Sequence, residues 1–146
     1  MELTVFQVDA FTTELFGGNP AGVVVDATGL DDSLMQKIAR ELNNSETAFI
    51  FPKGGEGYDI EVRFFTPTRE VPICGHATIA SHYVFAKERG RSSGIVVQKT
   101  KAGNLPVEIL PEDGDLRVVM EAIRWMVKSS PPESRAFDFS IRTECM

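Results

Sequence analysis

The feature that most constrains this chain is a run without charge. Residues 71–86 contain no Asp, Glu, Lys or Arg, and after Gly75 the apolar residues Ile79, Ala80, Tyr83 and Val84 keep helical spacing until Gly90 stops the pattern. Such a helix has no charged face to turn to water, so it is predicted to be buried on every side. The segments that could surround it read mostly as strands: 3–11, 23–26, 46–51, 58–66, 95–98, 105–110 and 116–120. The expected fold class is therefore α+β, a curved mixed β-sheet wrapped around a central buried helix.

One further helix is expected on the surface. From Asp31 or Asp32, either of which can cap, to Asn43 or Asn44, the residues Leu34, Met35, Ile38, Ala39 and Leu42 form one stripe, with Gln36, Lys37, Arg40 and Glu41 facing outward. Glycine-rich turns are expected at Phe16-Gly17-Gly18-Asn19-Pro20-Ala21-Gly22 and at Gly54-Gly55-Glu56-Gly57, the second joining two strands as a hairpin. Residues 1–121 form one lobe on this reading. Residues 122–146, with Ser129-Ser130-Pro131-Pro132 and no sustained period, form a tail of unassigned structure.

The 146 residues suffice for one domain with a hydrophobic core and are too few for two ordinary ones. A net charge of −6 repels phosphate backbones and anionic membranes, so neither nucleic acid nor a membrane is an expected partner. No stretch is apolar enough to span a bilayer and the first residues lack the order of a signal peptide, which makes the cytoplasm the default location. Cys74 and Cys145 are too few for a disulfide framework and lack the paired spacing of a zinc site, so no metal is expected.

Three places group reactive side chains with small neighbours at element ends, where a rigid scaffold presents function: Gly18-Asn19-Pro20-Ala21-Gly22, Asn44-Ser45-Glu46-Thr47, and residues 66–78 with Cys74-Gly75-His76-Ala77-Thr78. Gly75 opens the buried helix, whose first N–H groups can bind a carboxylate or a developing oxyanion. An ordinary helix start, capped by Thr78 and His76, is the competing reading. Glu46 falls between a helix and an apolar strand, where apolar surroundings would raise its pKa toward that of a useful acid or base; a solvated surface glutamate is the alternative. His76 reads as a catalytic, substrate-binding or structural imidazole, and His82, inside the buried helix, as structural. Cys74 is either a thiol activated by the helix start or a small buried filler.

Four blocks taken together carry more than each does alone. Phe6-Gln7-Val8-Asp9-Ala10-Phe11-Thr12, Phe16-Gly17-Gly18-Asn19-Pro20-Ala21-Gly22-Val23, Ala39-Arg40-Glu41-Leu42-Asn43-Asn44-Ser45-Glu46-Thr47-Ala48-Phe49, and Arg63-Phe64-Phe65-Thr66-Pro67 through Cys74-Gly75-His76-Ala77-Thr78 resemble, in that order, the phenazine biosynthesis-like (PhzF-like) family. The likeness covers roughly residues 3 to 120. It implies a diaminopimelate epimerase-like fold of two similar lobes with the active site between them, of which this chain matches the N-terminal lobe. It also implies that Glu46 is the proton-shuttling glutamate, that Ser45, Gly75 and His76 line the substrate pocket with Asn19 as a weaker member, and that no cofactor is used. The implied reaction is a proton shift on a small acidic metabolite.

No second acidic active-site residue or glycine-rich helix start is found after residue 120. The chain is thus either a truncated lobe or one that pairs with a second copy as a homodimer, and the unpatterned tail favours truncation. Two other functional readings stay open: an inactive lobe that binds a small acid or a partner lobe, and a cofactor-independent racemase or epimerase using Cys74 as its base.

Overall fold

A computed structural model describes residues 2–10, 19–120 and 139–140. Among them are nine strands and two helices in the order β1 (Val5–Ala10), β2 (Asn19–Val24), α1 (Asp32–Leu42), β3 (Glu46–Phe51), β4 (Ile60–Phe65), β5 (Glu70–Val71), α2 (Gly75–Glu88), β6 (Gly94–Thr100), β7 (Gly103–Glu112), β8 (Asp115–Met120) and β9 (Phe139–Ser140). The strands form one mixed sheet in the order β1-β2-β3-β4-β6-β7-β8-β9, with β5 paired to β4 off this path. Two pairs, β2 with β3 and β4 with β6, are parallel, and each encloses a helix in the connecting chain.

The charge-free helix lies where the sequence places it. In α2, every residue from Ala77 to Val84 is buried, and the helix packs on β1, β2, β3, β7 and β8. The sheet curls around it as expected. Arg89 ends the helix, and Gly90 follows at φ 64°, a left-handed conformation that glycine adopts without strain.

α1 covers the opposite face of the central strands. Asp31 caps it by accepting from the Leu34 amide at 2.8 Å, while Asn43, at φ 52°, ends it by donating to the Ala39 carbonyl at 3.1 Å. Met35 and Ala39 of its apolar stripe are buried against Val24, Phe49 and Phe65, the two rings meeting edge-on with centroids 5.4 Å apart. Neighbouring strand residues such as Val23, Ala48 and Phe64 point the other way, into the core around α2. Helices on both faces explain why these strands are apolar without a clean alternation. Gln36, expected to face outward, is instead partly buried and donates to the Thr66 carbonyl at 2.9 Å.

The first glycine-rich segment departs from expectation. Residues 16–18 lie outside the described residues, but Asn19-Pro20-Ala21-Gly22 is strand, not turn, and pairs antiparallel with β1. Pro20 is tolerated because pairing with β3 starts only at Ala21, opposite Glu46, so no bond to that neighbour needs its missing N–H. Gly22 is required for close approach: a Cβ there would lie 2.8 Å from Thr47 Oγ1 and 3.0 Å from Leu42 Cδ1.

The expected hairpin forms between β3 and β4. Of the tail, residues 139–140 return to the sheet beside β8; the rest, with Cys145, lies outside the described residues. No helix among the described residues is long and apolar enough to cross a membrane.

Candidate active site

Two chain ends meet at the rim of the sheet. The left-handed turn at Asn43 releases the chain from α1 into β3, so that Ser45 and Glu46 emerge just as the strand begins. The first turn of α2 arrives beside them with Cys74 at its N-cap, followed by Gly75 and His76. The pairing of Ala21 with Glu46 brings the Asn19-Pro20 end of β2 to the same rim.

His76 links these pieces. Its Nε2 is 3.0 Å from Ser45 Oγ and 3.0 Å from Glu46 Oε2, and its Nδ1 is 3.1 Å from Cys74 Sγ. Ser45 Oγ in turn reaches the Pro20 carbonyl at 3.5 Å. The Glu46 contact has the distance of an ion pair, yet Oε2 is buried without an in-line hydrogen-bond donor. The side chains of His76 and Glu46 retain 15% and 21% exposure, enough for a small molecule to reach both.

Burial lowers the His76 pKa, and the Glu46 carboxylate only partly offsets this, so the imidazole is neutral at neutral pH. The Cys74 thiol is pushed up to about 11, by burial first and by the Glu46 carboxylate next, while the amides of Ala77 and His76 pull it part of the way back. The activation expected of a thiol at a helix start does not prevail: desolvation outweighs the helix amides.

The helix start is not capped as an ordinary one would be. Cys74 makes no side-chain cap bond, Thr78 Oγ1 donates to the Cys74 carbonyl at 2.7 Å, and the His76 ring is engaged with Ser45 and Cys74. Among the described residues no side-chain oxygen caps the leading N–H groups, of which those of His76 and Ala77 act on the Cys74 sulfur. A Cβ on Gly75 would meet nothing among the described residues within 4 Å.

The structure therefore brings Ser45, Glu46, Cys74, Gly75 and His76 together. Asn19 is exposed at the same rim, two residues before Ala21, without a place in the His76 hydrogen bonds. Sequence reasoning did not foresee Pro20 as the carbonyl that Ser45 meets, nor Asn44 as a buried amide whose Nδ2 lacks a partner. Glu46, Cys74 and His76 each offer a ligand atom within 4.8 Å of the other two, a donor set that a thiophilic divalent cation could use. In the arrangement seen, opposite ring nitrogens of His76 already serve the thiol and the carboxylate.

A half-barrel sheet around a buried helix, with a carboxylate and an imidazole at the helix start, defines one lobe of an α+β protein of the diaminopimelate epimerase-like type. Residues 8–140 match the family model for phenazine biosynthesis-like proteins, and the chain belongs to that family. It is 60% identical over 116 residues to an uncharacterized isomerase of Clostridium acetobutylicum, covering 80% of this chain and 38% of that one. Among solved structures, a phenazine biosynthesis protein of the PhzF family from Bacillus anthracis superposes with a TM-score of 0.72 at 40% identity, over 82% of this chain and 40% of that one. A PhzF-family protein from Enterococcus faecalis gives 0.71 at 36% identity, over 82% and 44%. The chain thus spans about 40% of the length of the relatives it matches.

Proposed function

We propose that this chain carries half of the active site of an isomerase that shifts a proton on a small carboxylate-bearing metabolite without a cofactor, with Glu46 as general acid/base. The observation that carries the reading is the buried Glu46 Oε2, which lacks an in-line donor and sits 3.0 Å from His76 Nε2. The carboxylate takes a proton from one carbon and returns it to another. The substrate's anionic group binds at the open helix start beside Gly75, where the leading N–H groups of α2 face it, and Ser45 and His76 line the same pocket, with Asn19 at its edge.

A facing lobe completes the cleft, supplied by a second copy in a homodimer or by a longer polypeptide. Residues 1–121 are the lobe, and the cytoplasm is its setting. Family membership supports the isomerase class, and the uncapped helix start supports an anionic ligand.

The test is solvent deuterium incorporation into candidate small acids, followed by mass spectrometry, together with the solution mass of the protein. Glu46→Gln should lower incorporation by roughly 10²- to 10⁴-fold while the circular dichroism spectrum is unchanged. Unchanged incorporation in that variant would sink the assignment.

A second reading, a lobe that binds a small acid or a partner lobe without turnover, draws on the same helix start without a side-chain cap. Saturable binding of a small acid with no deuterium uptake would establish it. The racemase reading, with Cys74 as base, is disfavoured by a thiol held near 11, which leaves little thiolate at neutral pH.

A further inference from the structure

The groups around His76 favour one tautomer. Ser45 has one hydroxyl proton, and the Pro20 carbonyl at 3.5 Å is an acceptor for it; with the proton there, the serine oxygen accepts at the 3.0 Å contact with Nε2. The neighbouring Glu46 carboxylate is an acceptor as well, 3.0 Å from the same nitrogen. A carboxylate on that side favours the ring proton on Nε2, and Ser45 can accept from it as well. A neutral imidazole then has a bare lone pair at Nδ1, and the group 3.1 Å from it is the Cys74 sulfur. A protonated thiol can donate there; a thiolate or an apolar side chain cannot.

We propose that Cys74 is a positioning residue whose S–H donates to His76 Nδ1, holding the imidazole in the Nε2–H tautomer that presents a donor to Ser45 beside the Glu46 carboxylate. The thiol stays protonated because burial and the Glu46 carboxylate both disfavour the thiolate. With the ring locked, a neutral N–H faces the proton-carrying carboxylate through the reaction. In the other tautomer, a lone pair would face the Glu46 carboxylate, a repulsive contact, and Ser45 would have to turn its proton from Pro20 to the ring. The part of the inference that concerns turnover rests on Glu46 as the proton carrier; the tautomer itself does not.

The chain has only two histidines, so long-range ¹H–¹⁵N correlation of a histidine-labelled sample resolves both rings. At pH 7.5 the wild-type His76 should show a protonated Nε2 and an unprotonated Nδ1. Cys74→Ala should shift the tautomer ratio toward Nδ1–H by about tenfold or more, the loss expected when one hydrogen bond of ordinary strength is removed. Cys74→Ser, which keeps an O–H donor, should restore the wild-type pattern. His82, buried and bonded to Gln98, reports in the same spectra that each variant is folded.

A wild-type ring protonated at Nδ1, or a Cys74→Ala spectrum with His76 unchanged and His82 native, would overturn the proposal; the second result would mean that the thiol gives its proton to Glu46 instead. Neither result depends on turnover. Loss of deuterium exchange in Glu46→Gln with His76 unmoved in Cys74→Ala would leave the proton carrier standing and remove only this inference.

Discussion

His82 Nε2 lies 2.9 Å from Gln98 Oε1 in the interior between α2 and β6, where both residues are buried and His82 Nδ1 and Gln98 Nε2 have no partner among the described residues. The contact crosses from the central helix to the sheet. It is a polar link across a mainly apolar core, and it constrains the pH range in which the fold is stable.

Burial lowers the His82 pKa from 6.5 to about 4, with the bond to Gln98 opposing this in part. The unfolded chain therefore binds a proton that the folded chain refuses, so stability is complete above about pH 6.5 and falls as pH drops toward 4. On the order of 2 kcal/mol should be lost between pH 8 and pH 5 from this residue. Urea unfolding at a series of pH values checks it, and His82→Gln should flatten that part of the profile.

Gly22 and Thr47 sit side by side in the parallel pair of β2 and β3, with space for a hydrogen but not for a methyl group. Gly22→Ala should destabilise the fold by about 1–3 kcal/mol, as other overpacked sites do. Thermal unfolding would show it as a lower midpoint, and Gly22→Ala combined with Thr47→Ser should recover part of the loss by removing the Cγ2 that stands 3.1 Å away.

Arg63 holds Glu70 in a two-pronged contact, Nε to Oε1 at 2.8 Å and Nη2 to Oε2 at 2.7 Å, and reaches Asp32 at the start of α1 at 2.8 Å. Arg63 and its Lys101 neighbour hold the Glu70 carboxyl below its usual range, so its contribution is present at neutral pH and is lost as pH falls through that depressed pKa. Glu70→Gln should cost about 2 kcal/mol at pH 7, because the guanidinium is largely covered and loses the more buried of its two charged partners. Denaturant melts at pH 7 and in acid measure it; the gap between variant and wild type should narrow in acid.

The Cys74 thiol, pushed up to about 11, should react with iodoacetamide at pH 7.5 roughly 100-fold more slowly than a free cysteine, with the rate climbing in alkali. Peptide mapping separates it from Cys145. Fast labelling at neutral pH would mean that the helix amides outweigh desolvation after all.

Much of the fold was legible because its signals are local. The uncharged run of residues 71–86, Gly90 beyond it, Asp31 before Leu34 and the stripe through Met35 and Ala39 are patterns within one or a few turns of chain. The strand hidden in Asn19-Pro20-Ala21-Gly22 was not legible: proline and two small residues normally punctuate, and only pairing with β1 and β3 makes them strand. The same holds for Gln36, whose polar character suggested solvent until Thr66 met it from thirty residues away.

By itself, then, the sequence determined both helices and most of the strands, that one helix must be enclosed, and, through four ordered blocks, that Ser45, Glu46, Cys74, Gly75 and His76 belong together. Tertiary structure decided what those groups are: a thiol raised by burial where a helix start alone would lower it, a neutral imidazole with its two nitrogens turned to different partners, and a carboxylate oxygen without an in-line donor. The physical reason is that periodicity and capping act along the chain, whereas desolvation and hydrogen-bond direction at the opening of α2 depend on β3, which reaches it across about thirty residues of sequence.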